Sequence, residues 1–262
     1  SVRNYLRPLV ALPDDDHATF LALWILATYI ADHRDVSHSG VLYVYGNRER
    51  GKGRLLRAAA HLVYRGALTE TVNEAALFRL AEYLGVTALL DVTNVWTKVS
   101  KRGSEDLLLL RFEKGGQVIR VTKPEAGPFQ DMSYYDIYGP TAIATNEQLP
   151  DVMASRCFPI AMPIRPAIYP SPDIAEATRL RERLLAFRAR LMHESLPPPE
   201  IVGTGRWQDI CAPITQLAIM ANSNVFDSVS NALRQMADLR SDQTRDSMEA
   251  RIVQALIDSK DQ

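Results

Sequence analysis

Short apolar runs that alternate with helical patterns most constrain how this chain folds. Residues 40–46 (GVLYVYG) form a continuous apolar run of strand length, and apolar residues recur at helical spacing over 51–65. Three further buried runs follow at 86–92, 139–146 and 157–163. Buried strands that alternate with helices predict a parallel sheet with helices on both faces, which is a three-layer α/β fold.

Weaker patterns lie between and before these runs. A helix is predicted over 16–33 with Asp16 near its cap, and another over 73–85, capped by Asn73 and ended by Gly85. A short strand is expected at 67–72, a helix at 104–116 and an edge strand or hairpin arm at 117–123. These elements complete the predicted α/β unit.

The pattern changes after the proline-bearing stretch Pro163–Asp173, which favours an extended linker. Only helical patterns follow, at 174–195, 207–223, 227–239 and 245–259. The sequence therefore predicts an N-terminal helical segment (1–35), an α/β core (36–166) and a C-terminal helical domain (167–262).

Composition narrows the class of protein. The 262 residues carry a net charge of −1, so any contact with nucleic acid must come from a local basic patch. Cys157 and Cys211 lie far apart, which disfavours a metal cluster or a disulfide framework and fits a reducing cytoplasmic compartment. No apolar run is long enough to span a bilayer. The chain begins with Ser1, which is compatible with a fragment of a longer polypeptide.

The loop after the first buried strand has the frame of a phosphate-binding loop: Gly46, four residues, Gly51 and Lys52. In such loops backbone N–H groups and the helix N-terminus point at phosphates, and the lysine adds positive charge. The next residue normally offers a hydroxyl to Mg²⁺, and Gly53 has none. The same residues also fit a basic turn that opens a helix.

Three later residues extend the pattern. Asp91 ends a buried strand, where ligands bind in open α/β sheets and where a carboxylate can hold Mg²⁺ through water. Asn146 ends the next buried strand and could position a water beside the terminal phosphate, and Arg156 could reach the phosphate of a neighbouring subunit. Each has a plainer alternative: a cap or turn for Asp91, a turn for Asn146 and a surface helix end for Arg156.

The order of these motifs, with the segments 53–92, 145–162 and 203–221, resembles the helicase-like AAA+ ATPase domains found beside primases in phages, plasmids and other mobile elements. That family is related to superfamily 3 and MCM helicases, and the resemblance covers most of the chain. It implies ATP and Mg²⁺ as cofactors, bound by Gly46, Gly51, Lys52 and Gly53. The resemblance also implies roles by position. Lys52 would be the Walker A lysine, and Asp91 the Walker B aspartate and metal ligand. Asn146 would be the sensor asparagine, Arg156 the arginine finger, and Arg206 or Arg165 a second sensor.

The sequence departs from the family at two positions. Gly53 replaces the Mg²⁺-binding hydroxyl, and Val92 replaces the Glu that activates water. Loss of a catalytic base alone costs about two to four orders of magnitude in rate. We therefore expect weak nucleotide binding without ordinary hydrolysis, unless Thr93 or Glu49 substitutes.

Basic residues after the Walker B strand are candidates for nucleic-acid contact. They are Lys98, Lys101, Arg102, Lys114, Arg120 and Lys123. Such residues would bind phosphates without selecting sequence, although a solvated loop explains them equally well.

Two functions follow from the resemblance. One is an oligomeric, ring-forming ATPase of DNA replication, with a primase or another domain in the same polypeptide. The other is a non-catalytic module that keeps the AAA+ fold for assembly or DNA binding. A third option, an unrelated regulator, predicts the absence of a five-stranded parallel sheet.

Overall fold

The computed structural model describes residues 1–71, 74–102, 105–121, 125, 127, 130–164, 168–245 and 252. The strands are β1 (Val41–Tyr45), β2 (Gly66–Thr69), β3 (Thr87–Asp91), β4 (Gln117–Val121), β5 (Met132–Asp136), β6 (Thr141–Thr145) and β7 (Cys157–Ala161). The helices are α1 (Val2–Leu6), α2 (Asp15–Thr28), α3 (Lys52–Ala60), α4 (Glu74–Leu84), α5 (Val95–Ser100), α6 (Asp106–Leu109), α7 (Asp151–Ala154), α8 (Ile174–Leu191), α9 (Arg206–Ala221) and α10 (Ser223–Arg245).

Five strands form one parallel sheet in the order β2-β3-β6-β1-β7. β1 lies near the centre, where Leu42 pairs with Ala142 of β6 on one side and with Phe158 of β7 on the other. β6 is buried along its whole length, as expected for a central strand covered on both faces. The predicted three-layer α/β sheet is confirmed, and the five-stranded parallel sheet whose absence would have supported an unrelated regulator is present.

The two faces of the sheet belong to different apolar cores. Leu42 and Val44 of β1 pack with α3 and the terminal helices, whereas Val41 and Tyr43 pack with α4, α5 and α7. The helices that follow β1 and β6, α3 and α7, therefore lie on opposite faces. Adjacent strands whose connections diverge in this way leave a crevice at their carboxyl ends, which is where α/β sheets bind ligands.

The N-terminal and C-terminal helices pack on the same face of the sheet. Phe158 of β7 makes edge-to-face contacts with Phe20 of α2 at 5.0 Å and with Trp207 of α9 at 5.4 Å between ring centroids. Arg188 of α8 binds both carboxylate oxygens of Asp32, at 2.6 and 2.7 Å. Ranges 1–35, 36–166 and 167–262 thus share one apolar core, and their division into separate units stays a prediction. No helix in the described part of the chain is long and apolar enough to cross a bilayer.

Several predicted boundaries are wrong. Asp14, not Asp16, caps α2, because its Oδ1 accepts a hydrogen bond from the backbone N–H of His17 at 2.8 Å. The helix expected over 104–116 is reduced to the single turn α6. The segment treated as a basic loop contains α5, and the antiparallel partner of β4, β5, was not predicted. Asn73 lies outside the described residues.

A buried arginine anchors the chain where it leaves the helical path after α6. The Arg111 side chain is fully buried, and it donates to Oγ1 of Thr141 at 2.8 Å and to the carbonyl oxygens of Ile137, Val86 and Pro140 at 2.9 to 3.2 Å. Burial lowers the pKa of Arg111 to about 10, so the guanidinium stays charged at neutral pH. These bonds attach the base of the β4–β5 hairpin to the amino ends of β3 and β6.

Candidate functional site

The loop between β1 and α3 has the backbone of an anion-binding turn. Gly46 and Gly51 have φ values of 145° and 83°, and Glu49 also has a positive φ of 65°. Gly51 adopts the left-handed conformation at the start of α3, where no side chain within the described residues caps the helix. The first N–H groups of α3 are therefore directed at the cleft with the positive end of the helix dipole behind them.

Lys52 closes this loop on itself. Its ammonium group donates to the carbonyl oxygens of Gly46 at 2.8 Å and Asn47 at 2.7 Å. Partial burial lowers the pKa of Lys52, and the nearby Asp91 carboxylate opposes that shift. A phosphate oxygen is a stronger partner for an ammonium group than a neutral carbonyl, so an anion in the loop can take over these bonds.

Asp91 ends β3 directly beside the first turn of α3. An ideal Cβ added at Gly53 would lie 3.2 Å from Cγ of Asp91 and closer still to Oδ2. The carboxylate also lies 3.8 Å from a guanidinium nitrogen of Arg57. Burial raises the pKa of Asp91, while Arg57 counteracts this. The glycine at position 53 is thus what lets the aspartate approach the helix.

Asn146 and Thr93 complete the cleft at the carboxyl edge of the sheet, and both are exposed. The cleft has a volume of about 510 Å³. Its walls are formed by Arg48, Glu49, Arg50, Gly51, Lys52, Gly53, Arg54, Arg57, Asp91, Thr93 and Asn146. Lys52, Gly53, Asp91 and Asn146, which the sequence proposed separately, therefore lie around one space.

Position 92 does not face this space. The Val92 side chain is 1% exposed and belongs to the core that contains Leu90 and Val95. Side chains along a strand alternate between faces, and the alternation that places Asp91 at the cleft turns Val92 into the interior. Where the family resemblance implies a Glu, the structure therefore has a valine whose side chain packs in the core.

Sequence reasoning missed the roles of two charged side chains near the cleft. Glu147, directly after Asn146, accepts hydrogen bonds from the backbone N–H groups of Trp96 at 2.8 Å and Thr97 at 3.0 Å, and so caps α5. Arg57 reaches Asp91 from α3. The sequence could have indicated this role, because Arg57 follows Gly53 by four residues and so lies on the same side of the helix.

Arg156 lies at the amino ends of the strands, opposite the carboxyl ends that border the cleft. It directly precedes β7, whose amino end pairs with the amino end of β1. Its guanidinium stacks over Phe112 at 4.6 Å and donates to the carbonyl oxygen of Val152. Burial, and then the charge of Arg206, lowers its pKa. Arg156 and Arg206 are therefore not brought to the cleft of their own chain, and Arg165 lies outside the described residues.

The basic candidates for nucleic-acid contact fall into two groups. Lys98, Lys101 and Arg102 are exposed on α5 and the turn after it. Lys114 is partly buried, donates to the carbonyl oxygen of His33 and lies 5.8 Å from the ring of Tyr138.

Arg120 is also engaged within the chain. It pairs with Asp106 at 3.2 Å and stacks over Phe78 at 4.9 Å. Lys123 lies outside the described residues. The exposed members of this candidate set therefore lie on α5 and the turn after it, whereas Lys114 and Arg120 help to attach their segments to the core.

Comparisons with known proteins add no family assignment. No protein-family model matches the chain, and no curated protein matches it. Among solved structures, one of JCV helicase aligns with 13% identity and a TM-score of 0.38, and an inhibitor-bound form aligns with 12% identity and a TM-score of 0.37. Each alignment covers 94% of this chain but only 60% of the helicase chain. These values are too low to support an argument about function.

Proposed function

We propose that this chain is an AAA+-like ATPase module of a DNA replication helicase or primase-helicase of a mobile element, with impaired ATP hydrolysis. One observation carries the proposal: the structure brings Lys52, Asp91 and Asn146 together around the uncapped N-terminus of α3. That arrangement combines N–H donors, a cation and polar side chains for a nucleoside triphosphate. The resemblance in sequence order supplies the choice of ATP.

Impaired hydrolysis follows from two positions. Gly53 has no hydroxyl, and the side chain of Val92 is enclosed in the core rather than directed at a water molecule. Among the described residues that line the cleft, Glu49 on the exposed loop is the only one besides Asp91 with a carboxylate. The proposed module therefore binds nucleotide but does not hydrolyse it efficiently.

Nucleic-acid binding within an oligomer is the second part of the proposal. Lys98, Lys101 and Arg102 are exposed and suited to phosphate contacts without sequence selection. Arg156 lies at the edge opposite the cleft, from which it could approach the cleft of a neighbouring copy only after leaving Phe112. A primase or another domain of the same polypeptide would be the natural partner.

The test is calorimetric titration with ATP alongside a steady-state hydrolysis assay, with and without single-stranded DNA. Lys52→Ala is expected to weaken ATP binding about tenfold or more, because it removes a charge-assisted contact with phosphate. Arg79→Gln is the matched control, because Arg79 is exposed on α4, which packs on the other face of the sheet from α3.

The outcomes separate the candidate functions. ATP binding with negligible turnover supports the proposal. Efficient turnover would contradict impaired hydrolysis. An absence of ATP binding would favour the alternative, a non-catalytic AAA+-fold module for assembly or DNA binding.

A further inference from the structure

The Mg²⁺ that the family resemblance implies does not fit this cleft. Mg²⁺ demands near-octahedral oxygen ligands at about 2.0–2.1 Å. Gly53 offers no side-chain oxygen, and the Asp91 carboxylate packs against the space that a side chain at position 53 would need. A nucleotide-bound Mg²⁺ takes most of its ligands from phosphates and water, so positions 53 and 91 decide whether the protein can hold it.

A guanidinium already lies where a cation would face Asp91. Arg57 is four residues after Gly53, so the two positions share one side of α3. Its Nη2 atom lies 3.8 Å from Oδ2 of Asp91 and 3.3 Å from Oε1 of Glu70. Arg57 thus lies between two carboxylates. Its positive charge stands where a divalent cation stands in other phosphate sites.

The charge of the cleft is suited to a polyanion without a metal. Among the described residues, its walls carry five basic side chains, Arg48, Arg50, Lys52, Arg54 and Arg57, against Glu49 and Asp91, and a third acidic side chain, Glu70, lies beside Arg57. Arginine forks bind phosphate oxygens through paired N–H donors and are more weakly hydrated than an ammonium group. Positive charge that Mg²⁺ would bring is therefore already present in the protein.

We propose that the cleft binds a nucleoside triphosphate without a divalent cation, and that Arg57 takes the place of Mg²⁺ beside Asp91. The inference rests on the proposed nucleotide-binding function. It also accounts for Gly53, because a hydroxyl-bearing side chain there would displace the Asp91 carboxylate from its position near Arg57. A nucleotide held in this way is a bound structural ligand rather than a metal complex prepared for hydrolysis.

The experiment is calorimetric titration of the protein with ATP, once in excess EDTA and once in excess Mg²⁺. The wild-type dissociation constant is expected to agree within about threefold between the two conditions. Arg57→Gln is expected to weaken binding in EDTA about tenfold, since a charged hydrogen bond to phosphate is lost. In that variant Mg²⁺ is expected to restore part of the affinity, because Asp91 no longer has its guanidinium partner.

Two controls isolate the role of Arg57. Arg57→Lys keeps the charge and is expected to bind in EDTA more tightly than Arg57→Gln, whereas Arg79→Gln is expected to match the wild type. Arg57 is 57% exposed, so its variants should fold, which circular dichroism and thermal melting would verify.

Each result has a distinct consequence. Metal-independent binding that Arg57→Gln weakens supports the inference. Binding only in Mg²⁺ would overturn it while leaving the proposed nucleotide site intact. Equal binding in EDTA by Arg57→Gln and the wild type would overturn the role of Arg57. Absence of binding in both conditions would overturn the inference and the proposed function together.

Discussion

Val92→Glu would test how the structure explains the missing catalytic carboxylate. Family resemblance alone suggests that this change restores a general base. The structure predicts a different outcome, because the side chain at position 92 lies in the apolar core with Leu90 and Val95 and is 1% exposed. The introduced carboxylate would lack water and an ion-pair partner, so we expect loss of stability without gain of hydrolysis.

The size of the loss follows from burying an uncompensated charge. Such a charge costs about 3–5 kcal/mol. For a domain of this size each kcal/mol lowers Tm by about 2–4 °C, so Tm should fall by about 6–20 °C. Burial raises the pKa of the introduced carboxyl in the folded state. The penalty is therefore full above that folded-state pKa and is lost as the pH falls below the unfolded-state value.

Thermal and urea unfolding, followed by circular dichroism at two pH values, would measure the effect. Thr93→Glu is the matched control, because position 93 is exposed and lines the cleft, so its stability should change by no more than about 0.5 kcal/mol. A Val92→Glu protein as stable as the Thr93→Glu protein, or one that hydrolyses ATP, would refute the orientation assigned to position 92.

Three further changes probe other contacts. Gly53→Ala and Asp91→Ala should be non-additive by about 0.5–3 kcal/mol in a double-mutant cycle of urea unfolding, because the atoms nearest to the added Cβ are those of the Asp91 carboxylate; additivity would contradict that packing. Arg111→Ala should lower the free energy of unfolding by about 3–5 kcal/mol, since it removes the buried guanidinium that donates to the carbonyl oxygens of Ile137 and Val86; a loss under about 1 kcal/mol would contradict its anchoring role. Hydrogen bonds from Arg188 lower the pKa of Asp32 below its ordinary 3.8, so the stability contributed by Asp32 is present above pH 3.8 and lost as the pH falls through the folded-state pKa. Asp32→Asn should therefore cost at most about 1 kcal/mol at pH 7 in urea unfolding, and the difference should vanish in acid; a constant difference would contradict the ion pair.

The sheet could be predicted from the sequence because its signals are local. Strands buried on both faces must be apolar throughout, so the segments at β1, β3, β6 and β7 were evident without knowledge of their partners. The loop with the phosphate-binding frame and the strand-ending Asp91 are also contiguous patterns, and in the structure both lie at the carboxyl edge of the sheet. By contrast, β5 pairs with no strand other than β4 within the described residues, and its half-exposed sequence carries no strong periodic signal.

Charged side chains show why the rest was not predictable. Three arginines have different roles that their local sequences do not distinguish. Arg57 faces Asp91 in the cleft, Arg111 is fully buried, and Arg156 stacks on Phe112 at the amino edge of the sheet. A long flexible cation acquires its role from carboxylates, carbonyl oxygens and rings that are distant along the chain. No local pattern encodes those partners.

The sequence by itself determined the three-layer α/β fold and the position of the loop, because burial periodicity and glycine placement are properties of neighbouring residues. Only the tertiary structure decided which side chains surround the loop. Packing of β3 against α3 turns Val92 into the core and brings Asp91 up to Gly53. That same packing places Arg57 beside the carboxylate, so contacts between distant segments set the chemistry of the cleft.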